Sequence, residues 1–361
     1  MPDKLKVGVL GATGMVGQRF VALLDHHPWF DVTAVAASAA SAGKSYADAV
    51  AGRWTLSTPV PAATAKLTVG NASDVATIAD QVDFVFCAVD MPKDATAKLE
   101  EDYARAETPL VSNNSAHRWT PDVPMMIPEI NSDHAKVIEA QRRRLGTRRG
   151  FVTVKPNCSI QSYVPALHPL MSFGPTKVAV CTYQAISGAG KTFESWPEMI
   201  DNVIPFIKGE EEKSENEPLK IWGTLSGGKI QTATGPTITA QCIRVPVTDG
   251  HMAAVFVAFE RKPSKDQILS AWKELVGKPQ QLGLPSAPRP FLTYFEDDTR
   301  PQTRLDRDAG NGQGVTLGRL RPDPVFDWRF VGLSHNTVRG AAGGSVLTAE
   351  LLSAEGYLTA K

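Results

Sequence analysis

Long apolar runs are missing from this sequence of 361 residues: none reaches the roughly 18 residues a bilayer crossing needs, so no membrane role is expected. Net charge is missing too. The 38 Lys and Arg are balanced by 38 Asp and Glu, which gives a nucleic-acid or anionic-membrane partner no electrostatic basis. Cysteine is scarce: Cys87, Cys158, Cys181 and Cys242 lie far apart with no CxxC pair. That spacing speaks against a disulfide framework or a metal site and makes a reducing compartment the default. Met1-Pro-Asp-Lys-Leu-Lys6 runs straight into a strand with no apolar signal core, so a cytoplasmic protein is expected. A 42% hydrophobic, 21% charged chain of this length has room for two globular domains.

What is present begins with a glycine pattern. Lys6-Val-Gly-Val-Leu10 reads as a buried strand, Gly11-Ala-Thr13-Gly14-Met15-Val16-Gly17 follows at once, Gln18 to Asp25 is amphipathic, and Val32 to Ala36 reads as a second strand. Strand, Gly-rich turn, helix and strand in that order are the setting of a dinucleotide site. Gly11 permits the tight turn, Gly14 lets backbone approach a pyrophosphate, and Gly17 lets helix and strand pack closely. The spacing is a variant of the usual fingerprint. An NAD site places a carboxylate about 20 residues further on. Here the text is Ala36-Ala-Ser38-Ala-Ala-Ser41-Ala-Gly43-Lys44, two hydroxyls and a lysine, which suits a 2′-phosphate and predicts NADP(H).

Asp83 to Val89 is an unbroken apolar strand in which Cys87 is inert core, Thr96 to Ala106 a helix, and Pro109 to Ser112 another strand. Ligands of such sheets bind beyond the strand ends, so Asn113, Asn114 and Arg118 in the next loop are site candidates. The arginines of 136–150 read as a solvated connector.

Lys155-Pro-Asn157-Cys158-Ser-Ile lies between an apolar run and a segment of helical spacing, Ile160 to Leu170. At a strand-to-helix corner, free N–H groups lower a thiol pKa and can hold an oxyanion. Taken alone, Cys158 can equally be a small buried apolar residue. Lys177 to Gln184 is a strand, and Ala185 to Gly190 a small-residue turn. The acidic run over 210–217 has the composition of a solvated helix start. Thr237 to Arg244 and Met252 to Phe259 alternate around Asp249-Gly250, predicting a hairpin or bend that brings Arg244 near His251. Residues 280–330 are rich in Pro, Asp and Arg and carry no assignable chemistry. The expected fold is an α/β Rossmann-type parallel-sheet domain, residues 1–155, completed by a C-terminal helix within 336–361. An α+β catalytic and dimerisation domain with a largely antiparallel sheet covers 156–335.

A thiol, an imidazole and an NADP(H) fold together describe an acyl reductase working through a thioester, with arginines for an anionic substrate. Gly11 to Gly17, Pro156-Asn-Cys-Ser159, Gln184-Ala-Ile-Ser187-Gly188-Ala-Gly190 and Arg244-x6-His251 together resemble aspartate-semialdehyde dehydrogenase, in its fungal and archaeal branch. The resemblance spans nearly the whole chain. It implies NADPH-dependent conversion of L-aspartyl 4-phosphate to L-aspartate 4-semialdehyde and phosphate, in biosynthesis of the aspartate-derived amino acids. It further implies Cys158 as nucleophile, His251 as acid/base, Gln184 orienting the acyl group and Asn157 shaping the oxyanion site. Arg244 would grip the α-carboxylate, Arg118 and Lys213 the phosphate, and Glu210 or Glu211 the amino group. Asn336 would lie near the nicotinamide with Ser187 and Gly188, and a homodimer or homotetramer would form through the second domain. His117, His134, His168 and His335 are expected at the surface or as caps. Two other readings stand beside this one: a reductase of malonyl-CoA or N-acetylglutamyl phosphate on the same scaffold, and a catalytically silent NADP-binding regulator.

Overall fold

A computed structural model describes residues 4–361. Packing divides the chain into two compact units. One holds residues up to Pro156 with Leu225–Gln231 and Ala342–Lys361; the other holds Asn157–Thr224 and Thr232–Ala341. Leu225–Gln231 and residues 336–341 thus fall on the other side of the division drawn from sequence. Among the described residues no helix is long and apolar enough to cross a membrane.

The first unit is built on six parallel strands, β1 (Leu5–Leu10), β2 (Phe30–Ala37), β3 (Val69–Asn71), β4 (Phe84–Cys87), β5 (Leu110–Ser112) and β6 (Val152–Val154). Their spatial order is β3-β2-β1-β4-β5-β6, the doubly wound arrangement. Every residue of β4 is buried, and Phe84 and Phe86 pack against Phe30 and Phe20. Such unbroken apolar strands follow from helices covering both faces of a parallel sheet. The helix Met15–Leu24 starts earlier than its amphipathic pattern suggested, with Gly17 already inside it. A Cβ on Gly17 would overlap the Gly11 carbonyl, so the close helix–strand approach requires glycine there.

The C-terminal helix Gly343–Ala354 packs within this unit against the Met15–Leu24 helix and β5. Its Glu350 meets His27 Nε2 at 2.9 Å, both groups buried. The arginines of 136–150 are not a solvated connector. Ile138–Leu145 is a helix, Arg142 lies over the Phe151 and Tyr357 rings, and Arg144 holds Asp122 and Glu101.

The second unit carries a mixed sheet, largely antiparallel: β7 (Pro175–Gln184), β10 (Thr237–Arg244), β11 (His251–Phe259), β12 (Leu292–Phe295), β13 (Val315–Pro322) and β14 (Trp328–Ser334). The intervening β8 (Thr224–Ser226) and β9 (Lys229–Gln231) form a separate two-stranded ribbon. The order β10-β7-β11-β14-β13-β12 rules out the hairpin and leaves the bend of the two expected forms, because β7 lies between β10 and β11 while Arg244 and His251 still come together. β10 runs parallel to β7 and β11 antiparallel to it. The Asp249-Gly250 turn instead redirects a segment that crosses the end of β7, where Val245 N–H donates to Gln184 and Ile186 N–H to Val247. Residues 280–330 supply β12 and β13, so the stretch without assignable chemistry builds the far edge of this sheet.

The segment after Cys158 is not one helix. It is a short 3₁₀ helix over Ser159–Ser162, a single α-helical turn over Val164–Leu167 and a second 3₁₀ helix over His168–Phe173. Pro165 and Pro169 lack the N–H groups a continuous helix would use.

Candidate active site

Within the second unit the crossing at the end of β7 gathers the residues singled out from sequence. Arg244 ends β10 opposite Gln184, and His251 opens β11 beside it. Cys158 Sγ lies 3.4 Å from His251 Nε2. The imidazole is fully buried, and Ala185 N–H donates to its Nδ1 at 3.1 Å. A backbone N–H can only donate, so a neutral ring carries its proton on Nε2, facing the sulfur. Burial first, then the nearby Arg244 charge, pushes the His251 pKa down to about 3. Arg244 is buried as well, donating from Nη1 to Ala185 O at 2.6 Å, and burial leads the causes that lower its pKa.

Two glycines make room. A Cβ on Gly188 would sit 2.9 Å from Arg244 Nη1 and 3.1 Å from His251 Nε2, and one on Gly340 would sit 2.8 Å from Cys158 Cβ. Gly188 was expected here as a cofactor contact; Gly340 was missed, since nothing local marks it. Asn336 accepts from Gly250 N–H and donates to Ser187 Oγ, each at 2.8 Å, linking the turn before His251 to the turn after Gln184.

The acidic run is not a solvated helix start. In the helix Glu210–Ile221, Glu210, Ser214 and Glu217 share one buried face at offsets of four and three. The Glu210 carboxylate accepts from Asn157 Nδ2 at 3.0 and 2.9 Å, from Gln184 Nε2 at 3.3 Å and from Lys213 Nζ at 2.8 Å. Burial alone would raise its pKa, but the Lys213 charge and these donors outweigh it and hold the carboxyl below its ordinary range. Glu211 turns elsewhere, accepting from Gln241 Nε2 and Cys242 N–H. Asn157 uses its own N–H on Glu217 and its side-chain oxygen on Ser159, so its donors are committed to carboxylates rather than to an oxyanion. Glu217 and Ser159 were not singled out in the sequence; their signal is the helical offset from Glu210 and adjacency to Cys158.

The first unit holds the other candidates. Where strand order reverses, between β1 and β4, a cleft of about 490 Å³ opens. Gly11, Thr13, Gly14 and Ser38 line it as expected, joined by Asn71, Ala72 and Ser73 and by Ala88 to Met91, which sequence reasoning missed. Switch-point geometry, decided by strand order, is what brings the last two stretches in. Gly11 has φ +79°, and a Cβ there would overlap the Ala88 carbonyl. Gly14 caps the Met15–Leu24 helix without a side chain, so the first-turn N–H groups remain available for an anion. This cradle fits a dinucleotide pyrophosphate, and Ser38 without a carboxylate at the end of β2 fits a 2′-phosphate. Met15, Val16 and Gly17 form the first helical turn rather than the lining, and Ser41 and Lys44 lie outside it, Ser41 closing a turn on Ser38.

Arg118 is buried, donating from Nε to Lys155 O at 3.0 Å and from Nη2 to Asn113 O at 3.2 Å. Asn114 is drawn into a buried cluster, donating to Glu100 at 3.2 Å and to Cys87 Sγ at 3.5 Å. His117, His134 and His335 are buried rather than at the surface, bonded to Thr120 and Ala97, to Asn131, and to Thr337 respectively.

Two family models match this chain: a semialdehyde dehydrogenase NAD-binding domain over residues 6–138 and a semialdehyde dehydrogenase dimerisation domain over residues 167–339. Aspartate-semialdehyde dehydrogenase of Archaeoglobus fulgidus is 44% identical, the alignment covering 98% of this chain and 99% of the relative. The enzyme of the same name from Aspergillus fumigatus is 42% identical over 98% of this chain and 99% of its own. The crystal structure of aspartate-semialdehyde dehydrogenase with NADP from Candida albicans superposes with a TM-score of 0.88 at 35% identity, over 98% of this chain and all of that one.

Proposed function

This chain belongs to the aspartate-semialdehyde dehydrogenase family, and from that premise we propose that its Cys158–His251 pair carries the family's chemistry. The protein is a phosphorylating, NADP-dependent oxidoreductase of aspartate-family amino-acid biosynthesis, converting L-aspartyl 4-phosphate to L-aspartate 4-semialdehyde and phosphate. Reduction of malonyl-CoA or of N-acetylglutamyl phosphate, and a silent regulatory role, are not favoured.

The observation that carries this reading is the 3.4 Å approach of Cys158 Sγ to an imidazole whose other nitrogen is already occupied. The Cys158 thiolate attacks the acyl-phosphate carbonyl; the carbon–sulfur bond forms and phosphate departs with the carbon–oxygen bonding pair, taking up one proton from solvent to leave as hydrogen phosphate, and a thioester remains. The Gly11–Gly17 turn would hold NADPH, with Ser38 toward its 2′-phosphate, and the bound cofactor would supply the hydride that reduces the thioester. Collapse of the resulting hemithioacetal oxyanion returns the thiolate and releases the aldehyde. Neither stage requires a net proton from His251, and a neutral Nε2–H that donates to sulfur whenever sulfur is anionic is the role its wiring supports.

Arg244, beside His251 and with one guanidinium nitrogen engaged by Ala185, has donors left for the α-carboxylate. Glu210, ionised and held by Lys213, is the better partner for the substrate ammonium than Glu211. Lys213 and Arg118 are assigned to phosphate on the family resemblance. Gln184 and Asn157 act as positioning residues through Glu210. Assembly as a homodimer or homotetramer is supported by the dimerisation-domain match and by the exposed Ile200, Val203 and Phe206 of the second unit. A cytoplasmic setting is supported by four cysteines that form no disulfide.

The test is phosphate-dependent reduction of NADP⁺ with L-aspartate semialdehyde, run beside malonyl-CoA with NADPH, on wild type and Cys158→Ala. Activity in the first assay alone, lost in the variant while NADPH still binds, is expected. Activity only with malonyl-CoA would reassign Arg244, Lys213 and Glu210.

A further inference from the structure

The first unit has a second cleft, of about 610 Å³, that shares no lining residue with the cofactor cleft. It lies between the Thr120–Asp122 loop, the Ile138–Leu145 helix and the turn joining β8 to β9. That turn is Gly227-Gly228, with φ of +57° and +73°, so it presents a wall free of side chains. Gly228 is pressed onto the helix: a Cβ there would sit 2.9 Å from Ala140 Cβ. Ile230 N–H donates to Pro121 O at 2.9 Å and ties the ribbon to the loop. The cleft is therefore held from three sides by specific contacts.

Its charge is unbalanced. Arg143, Arg144 and Lys229 face it against one carboxylate, Asp122. Arg144 takes Asp122 with two nitrogens and Glu101 with a third. Glu139, the acidic residue of the same helix, is held by Arg142. Among the described residues, the side chains of Arg143 and Lys229 have no hydrogen-bond or ion-pair partner. A planar guanidinium fork and an ammonium point charge beside bare backbone suit a tetrahedral oxyanion.

We propose that this cleft binds a phosphate group, either as inorganic phosphate or as the phosphate of a small monoester, at a site separate from the Cys158 chemistry. The cleft is larger than the free ion requires, which favours the monoester. The proposal does not depend on the assignment of Arg118 and Lys213 to the reaction's phosphate.

The experiment is calorimetric titration of the full chain with inorganic phosphate and, separately, with glycerol 3-phosphate. It uses wild type, Arg143→Ala/Lys229→Ala, and Arg118→Ala/Lys213→Ala. The expected result is a binding component that persists in the Arg118/Lys213 variant and weakens about tenfold or more in the Arg143/Lys229 variant. Both altered side chains are exposed, and an unchanged melting temperature and unchanged aldehyde turnover verify that the fold and the active site are intact. Tighter binding of glycerol 3-phosphate identifies a monoester site; equal or weaker binding identifies inorganic phosphate as the ligand. Isotherms of the Arg143/Lys229 variant that superimpose on wild type for both anions would overturn the proposal.

Discussion

The backbone N–H of Ala185 points at Nδ1 of His251 from 3.1 Å, and this contact sets which end of the ring holds the proton. An imidazolium would need Nδ1 protonated and would turn that contact into a donor–donor clash. Together with burial and the Arg244 charge, this keeps the ring neutral with Nε2–H toward Cys158. Its signals in a ring-nitrogen NMR titration should therefore stay flat from pH 8 to pH 5. Because the folded pKa lies near 3 and the unfolded one near ~6.5, the unfolded state binds more protons between those values. The His251 contribution to stability is complete above about pH 6.5 and declines as pH falls toward 3, with a slope of up to about 1.4 kcal/mol per pH unit. A His251→Asn variant should lose that part of the slope; an unaltered slope would remove His251 as its source.

Arg244→Ala should lower kcat/KM by about 2–3 kcal/mol, roughly 30- to 150-fold, through loss of a buried charged hydrogen-bond donor. The loss should appear mainly in KM for the amino-acid substrate and leave NADPH affinity unchanged. Arg244→Lys should recover little of it, since an ammonium cannot reproduce the guanidinium fork. Steady-state kinetics on both variants decide the point, and an unchanged KM would withdraw the carboxylate role.

Glu210 and Glu211 are adjacent in sequence and should behave differently. Glu210→Ala strands the donors of Asn157, Gln184 and Lys213 inside the protein, so it should cost about 3 kcal/mol or more in kcat/KM together with a loss of thermal stability. Glu211→Ala frees only Gln241 and a backbone N–H at a partly exposed position and should change kcat/KM by less than about threefold. Equal effects of the two substitutions would contradict the assignment of the substrate ammonium to Glu210.

Ser38→Asp places a carboxylate at the cleft wall where β2 ends. It should repel a 2′-phosphate and accept a ribose 2′-hydroxyl, shifting the NADPH-to-NADH preference in kcat/KM by about 10²-fold or more toward NADH. Cofactor kinetics at fixed substrate measure it. A retained NADPH preference would place the 2′-phosphate elsewhere.

Much of the molecule was legible because its signals are local. The Gly11–Gly17 turn follows a buried strand and opens a helix within one short stretch, and its cradle forms from those same residues. The second unit was harder to read. An Asp-Gly break between alternating strands looks like a hairpin to any local reading, yet β7 lies between β10 and β11. The pairing that puts Gln184 between Arg244 and His251 therefore comes from a segment more than fifty residues away. The acidic run looked solvated because composition cannot tell which helical face is covered. Here one face meets Asn157, Gln184 and Lys213, and that choice separates Glu210 from Glu211.

By itself the sequence determined the nucleotide-binding half, the identity of the thiol and imidazole, and the absence of a ribose-binding carboxylate, since each depends on residue type and near-neighbour spacing. Only tertiary structure decided the proton position on His251, the burial of Glu210 against Asn157 and Gln184 while Glu211 turns away, the commitment of Asn157 to carboxylates and the break of the helix behind Cys158 into short pieces. Those depend on hydrogen-bond partners distant in the chain, or on prolines breaking a pattern whose apolar spacing still looked helical. A buried donor or acceptor takes whichever partner packing brings to it, and the order of strands in a sheet is what brings it.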